Sequence, residues 1–264
     1  MNLKLEDKAA LVTGSTAGIG LAIALGLARE GARVIVNGRT EARVDAALAS
    51  IREQVPQGKV EGVALDLGTA AGCEALVRRV PTVDVLVNNL GVYEPKPFEQ
   101  IPDADWQRIF EVNVMSGVRL SRAYVPGMKE RNWGRIVFIS SESAVQIPAE
   151  MVHYGMTKTA QIAVARGIAE TCAGTAVTAN SVLAGPTASE GVINFVATLA
   201  KEQGTTPQEF EKQFFRDARP TSLLKRFIQP EEVAAVVVFV CSPEASAING
   251  AALRAEGGVV KAAL

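Results

Sequence analysis

Ser141, Tyr154 and Lys158 offer a hydroxyl, a phenol and an ammonium that could act on one reacting oxygen. Tyr154 and Lys158 are four residues apart, so in a helix over residues 152–173 they lie on one face, one turn apart. A free phenol has a pKa near ~10 and exchanges protons poorly at neutral pH, but a nearby cation lowers that value. We therefore predict that Lys158, together with a cationic cofactor ring in a dry cleft, lowers the pKa of Tyr154 enough for proton transfer near pH 7, as carbonyl chemistry requires.

The Tyr-x-x-x-Lys spacing is a weak signal by itself, because it is more often a surface tyrosine followed by a solvated lysine. Three other motifs accompany it in this chain. They are Thr13-Gly14-Ser15-Thr16-Ala17-Gly18-Ile19-Gly20, Asn88-Asn89-Leu90-Gly91 and Gly134-Arg135-Ile136-Val137-Phe138-Ile139-Ser140-Ser141. Together and in this order, the four motifs closely resemble the short-chain dehydrogenase/reductase family, and the resemblance runs over essentially the whole chain.

The composition favours one large domain without nucleic-acid or membrane partners. The chain has 264 residues, 48% of them hydrophobic, and no repeat or Pro/Gly-rich linker, so residues 1–264 are expected to form a single domain. A net charge of −1 provides no basic surface for nucleic acid or an anionic membrane. The start lacks the apolar core of a signal peptide, and the longest apolar run, Val233–Cys241, is far short of the ~18 residues of a membrane span. We therefore expect a cytoplasmic protein, and three scattered cysteines with a single histidine predict no metal site.

Apolar strands alternate with helical segments along the chain. The strands are continuous apolar runs, which indicates a parallel sheet covered by helices on both faces. We predict a doubly wound, seven-stranded parallel α/β sheet of the Rossmann type, with strands at Lys8–Val12, Arg33–Val36, Val60–Leu65, Val83–Val87, Arg135–Ile139, Ala176–Val182 and about Ala251–Arg254. The predicted helices cover residues 18–30, 41–54, 69–79, 103–130, 152–173 and 231–241.

Residues 188–228 are polar and helix-prone, and they interrupt this alternation before the last helix. We predict that they form a lid over the substrate, because they contain more apolar residues than a solvated helix needs. The side chains expected to line the substrate pocket are Ile193, Phe195, Leu199, Phe210, Phe214 and Phe215. Substrate choice is expected to depend on this lid and on residues 92–100 and 143–150.

Gly14, Gly18 and Gly20 join the first strand to the first helix with the spacing Gly-x-x-x-Gly-x-Gly. Glycine lets the backbone turn tightly and approach a pyrophosphate at the positive N-terminus of the helix. The alternative is a turn that only packs the helix on the strand, but the spacing matches the pattern of the family. The resemblance implies that the cofactor is held by Gly14, Ser15, Gly18, Ile19, Gly20, Arg39, Asp66, Leu67, Asn89, Gly91, Tyr154, Lys158, Gly185, Thr187 and Ser189.

Some positions near the expected cofactor differ from the family or have two roles open to them. By resemblance Asp66 accepts a hydrogen bond from the adenine amino group, and the alternative is that it caps the helix at 69–79. Asn88 either lines the adenosine ribose or ties strand ends together. Leu90 replaces a small alanine, and Ala184 stands where the family has a proline that stiffens the loop beside the nicotinamide. Ser189 replaces a threonine and keeps the hydroxyl for cofactor contact.

The resemblance also assigns catalytic roles. Tyr154 is the general acid in reduction and the general base in oxidation, and Lys158 lowers its pKa and binds the nicotinamide ribose. Ser141 hydrogen-bonds the substrate oxygen as negative charge develops there. Ser140 and Ser143 are neighbouring hydroxyls that are not expected to take this role.

Asn113 lies inside the predicted helix 103–130, where asparagine is a mediocre helix former. It resembles the family asparagine that holds a water for proton relay to Lys158. The alternative is an asparagine whose amide is satisfied by local backbone.

The end of the second strand, Asn37-Gly38-Arg39, favours NADP(H) over NAD(H). An NAD enzyme of this type has an Asp or Glu about twenty residues past the glycine turn, where it binds the ribose hydroxyls. Gly38 takes that place and repels no phosphate, while Arg39 can form two hydrogen bonds with it. Arg43 and Asn37 are expected to assist. The alternative is that Arg39 is a solvated turn residue.

We therefore expect an enzyme that transfers a hydride between NADP(H) and a carbonyl or secondary alcohol, working as a ketone or aldehyde reductase. A 3-oxoacyl-thioester reductase is the alternative within this class, against an enzyme for sugars, polyols or cyclic ketones. The alternative from another class is a catalytically silent nucleotide-binding sensor, but such proteins usually lose the Tyr or the Lys.

The family also implies a homotetramer, or a homodimer, with the helices at 103–130 and 152–173 in one interface. The residues that hint at this interface, and could equally be core, are Val114, Val118, Ile162 and Ile168.

Overall fold

Seven parallel strands form one sheet across residues 2–202 and 204–263, the residues that the computed structural model describes, with the side chain of Phe195 excepted. The strands are β1 (Ala9–Val12), β2 (Arg33–Gly38), β3 (Val60–Ala64), β4 (Val85–Asn88), β5 (Gly134–Ser141), β6 (Val177–Ala184) and β7 (Ala252–Ala255). Their order is β3-β2-β1-β4-β5-β6-β7, and every pairing is parallel. The predicted fold class, a doubly wound Rossmann-type sheet, is confirmed.

Helices cover both faces of this sheet. They are α1 (Gly18–Arg29), α2 (Glu41–Gln54), α3 (Ala70–Arg79), α4 (Asp103–Phe110), α5 (Ser116–Glu130), α6 (Val152–Thr171), α7 (Glu190–Glu202), α8 (Pro207–Asp217) and α9 (Pro230–Val240). Helices α1, α2 and α9 pack on one face, and α3, α5 and α6 pack on the other. The two layers of helices create two hydrophobic cores, one on each side of the sheet.

The two cores explain why the strands are apolar at every position. In β1, Ala10 and Val12 face the core under α1 and α9, whereas Leu11 between them faces the core under α3 and α5. All three side chains are fully buried. Because successive side chains of a strand point to opposite faces, a strand covered on both faces has no solvent-facing position for a polar residue. Burying a side chain such as Leu11 contributes about 2 kcal/mol relative to leaving it exposed.

Parallel pairing brings the carboxyl ends of the strands to one edge of the sheet. Val12 at the end of β1 lies opposite Val87, and Ser141 at the end of β5 lies opposite Ala184. The strand order reverses at β1, because β2 and β3 lie on one side of it and β4 to β7 on the other. Loops that leave this edge therefore diverge and open a crevice, which is the usual ligand position in such sheets.

The predicted helical stretch 103–130 is helical but not uniform. A π-turn, Glu111–Met115, separates α4 from α5 and has Asn113 at its centre. A π-turn accommodates one extra residue and often occurs at functional sites. Pro126 lies within α5. The apolar periodicity of the sequence does not reveal the single extra residue of the π-turn.

The segment predicted as a lid contains α7 and α8. Phe214, Phe215 and Phe227 pack on one another with ring centroids 5.1 to 5.2 Å apart. Phe215 is buried, so these rings form a small core within the segment and do not all line a pocket as predicted. Ile193 is 55% exposed, and the prediction for the Phe195 side chain lies outside the described residues.

Within residues 2–202 and 204–263, no helix combines the length and the apolar character needed to cross a bilayer. Over the same ranges, no group of three or more His, Cys, Asp or Glu side chains is arranged to hold a metal ion. The three cysteines are buried free thiols.

Candidate active site

The turn between β1 and α1 has the backbone conformation that its glycines predict. Gly14 has a φ of +59° and Gly18 a φ of +56°, in the left-handed region that side chains disfavour. At Gly20, a Cβ atom would lie 2.5 Å from Nδ2 of Asn89, so a side chain there would displace the turn. Helix α1 begins after Ala17, whose side chain cannot accept a hydrogen bond from the first N–H groups. These N–H groups are therefore available to an anion such as a phosphate.

A cleft of about 260 Å³ opens beside this turn. It is lined by the glycine turn, by residues 89–91 after β4 and by residues 189–191 at the start of α7. The predicted cofactor residues on its wall are Gly14, Gly18, Ile19, Gly20, Asn89, Gly91 and Ser189, and Leu90 lies among them. The glycine turn, next to the N–H groups at the start of α1, fits the diphosphate of a dinucleotide.

Two predicted cofactor residues, Ser15 and Leu67, face away from this cleft. The buried hydroxyl of Ser15 donates to the carbonyl of Val12 at 2.7 Å and accepts from the N–H of Asn37 at 3.0 Å. The N–H of Ser15 donates to the carbonyl of Asn37 at 2.8 Å. The hydroxyl and the N–H of Ser15 therefore join β1 to β2, and contact of Ser15 with the cofactor stays a prediction. The Leu67 side chain is buried in the core under α3, so only its main chain is left to contact an adenine.

The two asparagines after β4 have different partners. Asn89 donates through Nδ2 to the carbonyls of Thr13 and Gly14, each at 2.9 Å, and so holds the glycine turn in place. The buried Asn88 donates to the hydroxyl of Ser121 on α5 at 3.3 Å. This contact supports the structural one of the two roles considered for Asn88.

Arg39 and Asp66 follow β2 and β3, and both side chains are exposed at the carboxyl edge of the sheet. Oδ1 of Asp66 accepts from the N–H of Gly68 at 3.0 Å. The cap of α3 is Thr69, whose hydroxyl accepts from the N–H of Gly72 at 3.0 Å. Asp66 is therefore not the helix cap, and contact of its carboxylate with an adenine stays a prediction.

Gly38 is closely packed at the end of β2. A Cβ atom on Gly38 would lie 2.4 Å from Cγ2 of Thr16. An acidic side chain at this position would therefore require Thr16 to move. The packing of the turn accordingly disfavours the carboxylate that an NAD enzyme would need there.

The prediction that Asn37 assists Arg39 is wrong. The Asn37 amide is buried and donates to two main-chain carbonyls at and just after the end of β3, both at 3.1 Å. Arg43 is exposed, and its guanidinium lies 3.2 Å from the carboxylate of Glu190. Arg39 is thus the basic side chain of this group that is left for a phosphate.

Gly185, Thr187 and Ser189 lie in the loop after β6. A Cβ atom on Gly185 would lie 2.5 Å from the carbonyl oxygen of Glu256, so the loop approaches the chain after β7 closely. The Thr187 hydroxyl donates to the carbonyl of Gly185 at 2.8 Å, and the Ser189 hydroxyl accepts from an N–H in the first turn of α7 at 3.4 Å. These contacts order the loop although Ala184 replaces the proline of the family.

Ser141, Tyr154 and Lys158 meet where β5 and α6 reach the cleft. Nζ of Lys158 lies 5.5 Å from the centre of the Tyr154 ring and donates to the carbonyl of Ile139 in β5 at 2.8 Å. The Ser141 hydroxyl lies near enough to the Tyr154 phenol to lower its pKa. A Cβ atom on Gly91 would lie 3.5 Å from Nζ of Lys158, so the ammonium borders the nucleotide cleft.

The neighbouring serines point elsewhere. The Ser140 hydroxyl donates to the main-chain carbonyl of Lys158 at 2.8 Å and so faces α6. The Ser141 hydroxyl accepts from the N–H of Ser143 at 3.1 Å and donates to the carboxylate of Glu142. Ser141 is therefore the serine whose hydroxyl adjoins the phenol of Tyr154.

Residues 8–200 match the short chain dehydrogenase family, which is well over half of the chain. The chain belongs to that family. It is 50% identical over 261 residues to the uncharacterized oxidoreductase YvaG of Bacillus subtilis (strain 168), with 99% of each chain covered. It is 34% identical over 263 residues to the 3-oxoacyl-(acyl-carrier-protein) reductase FabG of Aquifex aeolicus (strain VF5), covering 98% of this chain and 100% of that protein.

Among solved structures, the L-sorbose reductase from Gluconobacter frateurii, complexed with NADPH and L-sorbose, is similar to this chain with a TM-score of 0.94. The identity is 33%, over 99% of this chain and 100% of that one. The family predicted from the four motifs is thus confirmed. This short-chain dehydrogenase is an oxidoreductase that acts on CH–OH or carbonyl groups.

In this short-chain dehydrogenase the pKa of Tyr154 is not lowered. Burial raises the pKa of the phenol, the carboxylate of Glu142 raises it further, and the neighbouring Ser141 hydroxyl acts in the opposite direction. In the protein without cofactor, burial outweighs any lowering by Lys158, because the ammonium is bonded to other groups. The lowering predicted for Lys158 together with a cofactor ring stays a prediction. A phenol with a raised pKa stays protonated at neutral pH but releases its proton less readily, so proton donation requires groups that stabilise the phenolate.

Asn113 holds the loop that follows β4. Its Oδ1 accepts from the N–H of Val92 at 2.7 Å, and its Nδ2 donates to the carbonyl of Val92 at 2.9 Å and to the hydroxyl of Thr157 at 3.1 Å. Its carbonyl accepts from Nε2 of Gln161 at 2.6 Å. The side-chain amide is satisfied mainly by the backbone of a distant loop and not by its own helix, and the predicted role of Asn113 in holding a relay water stays a prediction.

Two charged residues beside Ser141 were not predicted from the sequence. Glu142 and Arg219 are both buried, and Nε of Arg219 lies 3.0 Å from Oε1 of Glu142. Arg219 also lies 3.4 Å from the carboxylate of Glu150. The position of Glu142 directly after a buried strand could have indicated a functional role for it. No local pattern connects Glu142 to Arg219, which is 77 residues away.

Proposed function

We propose that this short-chain dehydrogenase is an NADPH-dependent reductase that converts a small polar ketone into a secondary alcohol. The observation that carries the proposal is the meeting of the Ser141 hydroxyl, the protonated Tyr154 phenol and the Lys158 ammonium at the edge of the nucleotide cleft. Two hydroxyl groups and a cation around one point suit a carbonyl oxygen that gains negative charge.

The protein's own groups supply the proton and the geometry of the reaction. When bound, the nicotinamide cofactor supplies the hydride. Tyr154, whose phenol is protonated at neutral pH, donates its proton to the substrate oxygen as a general acid. Ser141 stabilises the same oxygen by turning its hydroxyl from Glu142 to the substrate. The Lys158 ammonium then stabilises the phenolate that remains on Tyr154.

The end of β2 supports NADPH as the cofactor. Gly38 carries no charge that repels a 2′-phosphate, and the close contact with Thr16 disfavours an acidic residue in its place. The exposed guanidinium of Arg39 can form charge-assisted hydrogen bonds with the phosphate. The related L-sorbose reductase was solved with NADPH bound, which supports the same preference here.

The polar surroundings of Ser141 favour a small hydroxylated ketone as substrate. A buried carboxylate and a buried guanidinium, Glu142 and Arg219, are suited to hydroxyl groups and not to a long acyl chain. The similarity to a reductase solved with L-sorbose supports this substrate class. The second candidate is a 3-oxoacyl-thioester reductase, which the 34% identity to the Aquifex aeolicus enzyme favours.

A turnover screen with purified protein tests the proposed function. NADPH oxidation is followed with ketohexoses, small cyclic ketones and an acetoacetyl thioester side by side. We expect the highest kcat/KM with a hydroxylated ketone. A higher kcat/KM with the thioester would favour the second candidate, and tight NADPH binding without turnover of any substrate would indicate a catalytically silent sensor.

We also propose that residues 188–228 act as a lid that closes over the substrate. The contact between Arg219 of this segment and Glu142 after β5 supports this, because it joins the segment to the catalytic edge. We expect amide hydrogen exchange in its peptides to slow when NADPH and a substrate analogue are both present, relative to peptides of β5. Exchange that is equally slow with and without ligands would contradict the lid.

A homotetramer is the oligomeric state that we propose, with α5 and α6 in one interface. Val114 is buried inside the single chain and says nothing about an interface, whereas Val118, Ile162 and Ile168 are only partly buried. Pairing these helices between copies would remove that apolar surface from water. Light scattering at micromolar concentration is expected to give four times the mass of the chain, and a stable monomer would contradict the proposal.

A further inference from the structure

Gln161 lies on α6, three residues after Lys158, and its side chain is only 1% exposed. Its Oε1 accepts a hydrogen bond from Nζ of Lys158 at 3.2 Å, and its Nε2 donates to the main-chain carbonyl of Asn113 at 2.6 Å. One side-chain amide therefore connects the ammonium on α6 to the π-turn between α4 and α5.

We propose that Gln161 is a positioning residue, which keeps the Lys158 ammonium charged and in place beside Tyr154 by linking it to the carbonyl of Asn113. The inference rests on the proposed function, in which Lys158 serves the phenol and the cofactor. An ammonium has three N–H donors. Among the described residues, Ile139 and Gln161 accept from two of them, and the third is left for a hydroxyl of the cofactor ribose.

The two contacts fix the orientation of the Gln161 amide. The reversed orientation would place its NH₂ group against the ammonium of Lys158 and its oxygen against the carbonyl of Asn113, so that neither hydrogen bond could form. A neutral oxygen that accepts from an ammonium favours the charged form of the lysine. The hydrogen bond from the NH₂ group of Gln161 to the Asn113 carbonyl holds the Gln161 oxygen beside Nζ of Lys158.

A purely space-filling role does not account for a glutamine at this buried position. Ordering a glutamine side chain costs more conformational entropy than ordering an aliphatic one, and burying its amide is unfavourable unless both ends are bonded. A leucine would fill similar volume without either cost. The two polar contacts of Gln161 are thus the property that distinguishes it from an aliphatic residue.

The charged and titratable groups around Lys158 define what the test measures. They are Tyr154 on the same helix, Glu142 at the end of β5 and Arg219, which reaches Glu142 from the segment 188–228. The other neighbours of the ammonium, in β5, the π-turn and the loop after β4, are neutral. Burial lowers the pKa of Lys158 to about 8, against the opposing effect of Glu142. Loss of the Gln161 acceptor would lower it further.

The test compares the pH dependence of NADPH binding in the parent, Gln161→Leu and Gln161→Glu. The Kd of NADPH is measured from about pH 6 to about pH 10, where the lysine is expected to titrate. In the parent we expect the Kd to rise above about pH 8 as the ammonium is lost. In Gln161→Leu the rise should begin about one pH unit lower, the shift that loss of a hydrogen bond to a charged group produces. In Gln161→Glu the added negative charge should move the rise in Kd to higher pH.

An unchanged pH of the rise in Gln161→Leu, with only a lowered Tm, would show a structural role and overturn the inference. If Gln161→Leu does not fold, the Gln161→Glu profile decides, because a profile that coincides with the parent also overturns it. A parent whose Kd does not vary over this range overturns it as well. The exposed Gln54 provides a matched control, since Gln54→Leu should leave the profile unchanged. Binding needs no substrate, so these outcomes are separate from a failed turnover screen, and a parent that does not bind NADPH contradicts both proposals.

Discussion

Replacing Tyr154 by phenylalanine is expected to lower kcat by about 10²–10⁴-fold, the usual contribution of a general acid. The variant loses the phenolic proton that is delivered to the substrate oxygen. Its ring still packs edge to face against Tyr93, at 6.2 Å between centroids, so the shape of the site is retained. The affinity for NADPH should therefore be nearly unchanged. Steady-state kinetics with the best ketone, together with the Kd of NADPH, measure both effects.

The Tyr124→Phe variant is a matched control for this loss. The Tyr124 hydroxyl donates to the buried carbonyl of Val80 at 2.7 Å, and this contact belongs to the core under α3 and α5. Its removal should lower the free energy of unfolding by about 1–3 kcal/mol without changing kcat. If Tyr154→Phe retained kcat/KM within about threefold of the parent, another group would have to be the proton donor.

Lys158→Met is expected to impair both turnover and NADPH binding, whereas Tyr154→Phe should impair turnover alone. It removes the ammonium that borders both the phenol and the nucleotide cleft, so turnover and NADPH affinity should fall together. The comparison of the two variants separates proton donation from cofactor binding.

Replacing Arg39 by alanine is expected to reduce the preference for NADPH over NADH by about ten- to a hundredfold. A charge-assisted, bidentate contact with the 2′-phosphate is lost, whereas NADH has no phosphate and should bind as before. The preference is the ratio of the two kcat/KM values. Because Arg39 is exposed, the effect should shrink as the salt concentration rises.

Arg43→Ala provides the control for Arg39, since it removes the same charge one turn further along the chain. Arg43 already pairs with Glu190, so its loss should change the cofactor preference by less than about threefold. A parent enzyme with a higher kcat/KM for NADH would contradict the proposed cofactor. An Arg39→Ala variant with an unchanged preference would show that the phosphate is held elsewhere.

Much of the fold could be predicted from the sequence because its signals are local. Continuous apolar runs indicated strands covered on both faces, and outside the interrupted stretch 103–130 the predicted helices agree with the structure to within two residues at each end. The glycine turn was predictable for the same reason. Gly14 and Gly18 need backbone conformations that other residues disfavour, so their types and spacing report the turn directly.

The sequence by itself determined the family, the order of strands and helices, and which tyrosine and lysine share a helix face, since each follows from periodicity or from a turn between neighbours in the chain. Only the tertiary structure decided how those residues are surrounded. It turned Ser15 away from the cleft, joined Gln161 to Asn113 across 48 residues, and placed Arg219 against Glu142 across 77. Burial also raises the pKa of Tyr154 in the protein without cofactor, an effect that the spacing of Tyr154 and Lys158 does not reveal. Such effects depend on which distant groups packing brings together and on how much water it removes, and local patterns encode neither.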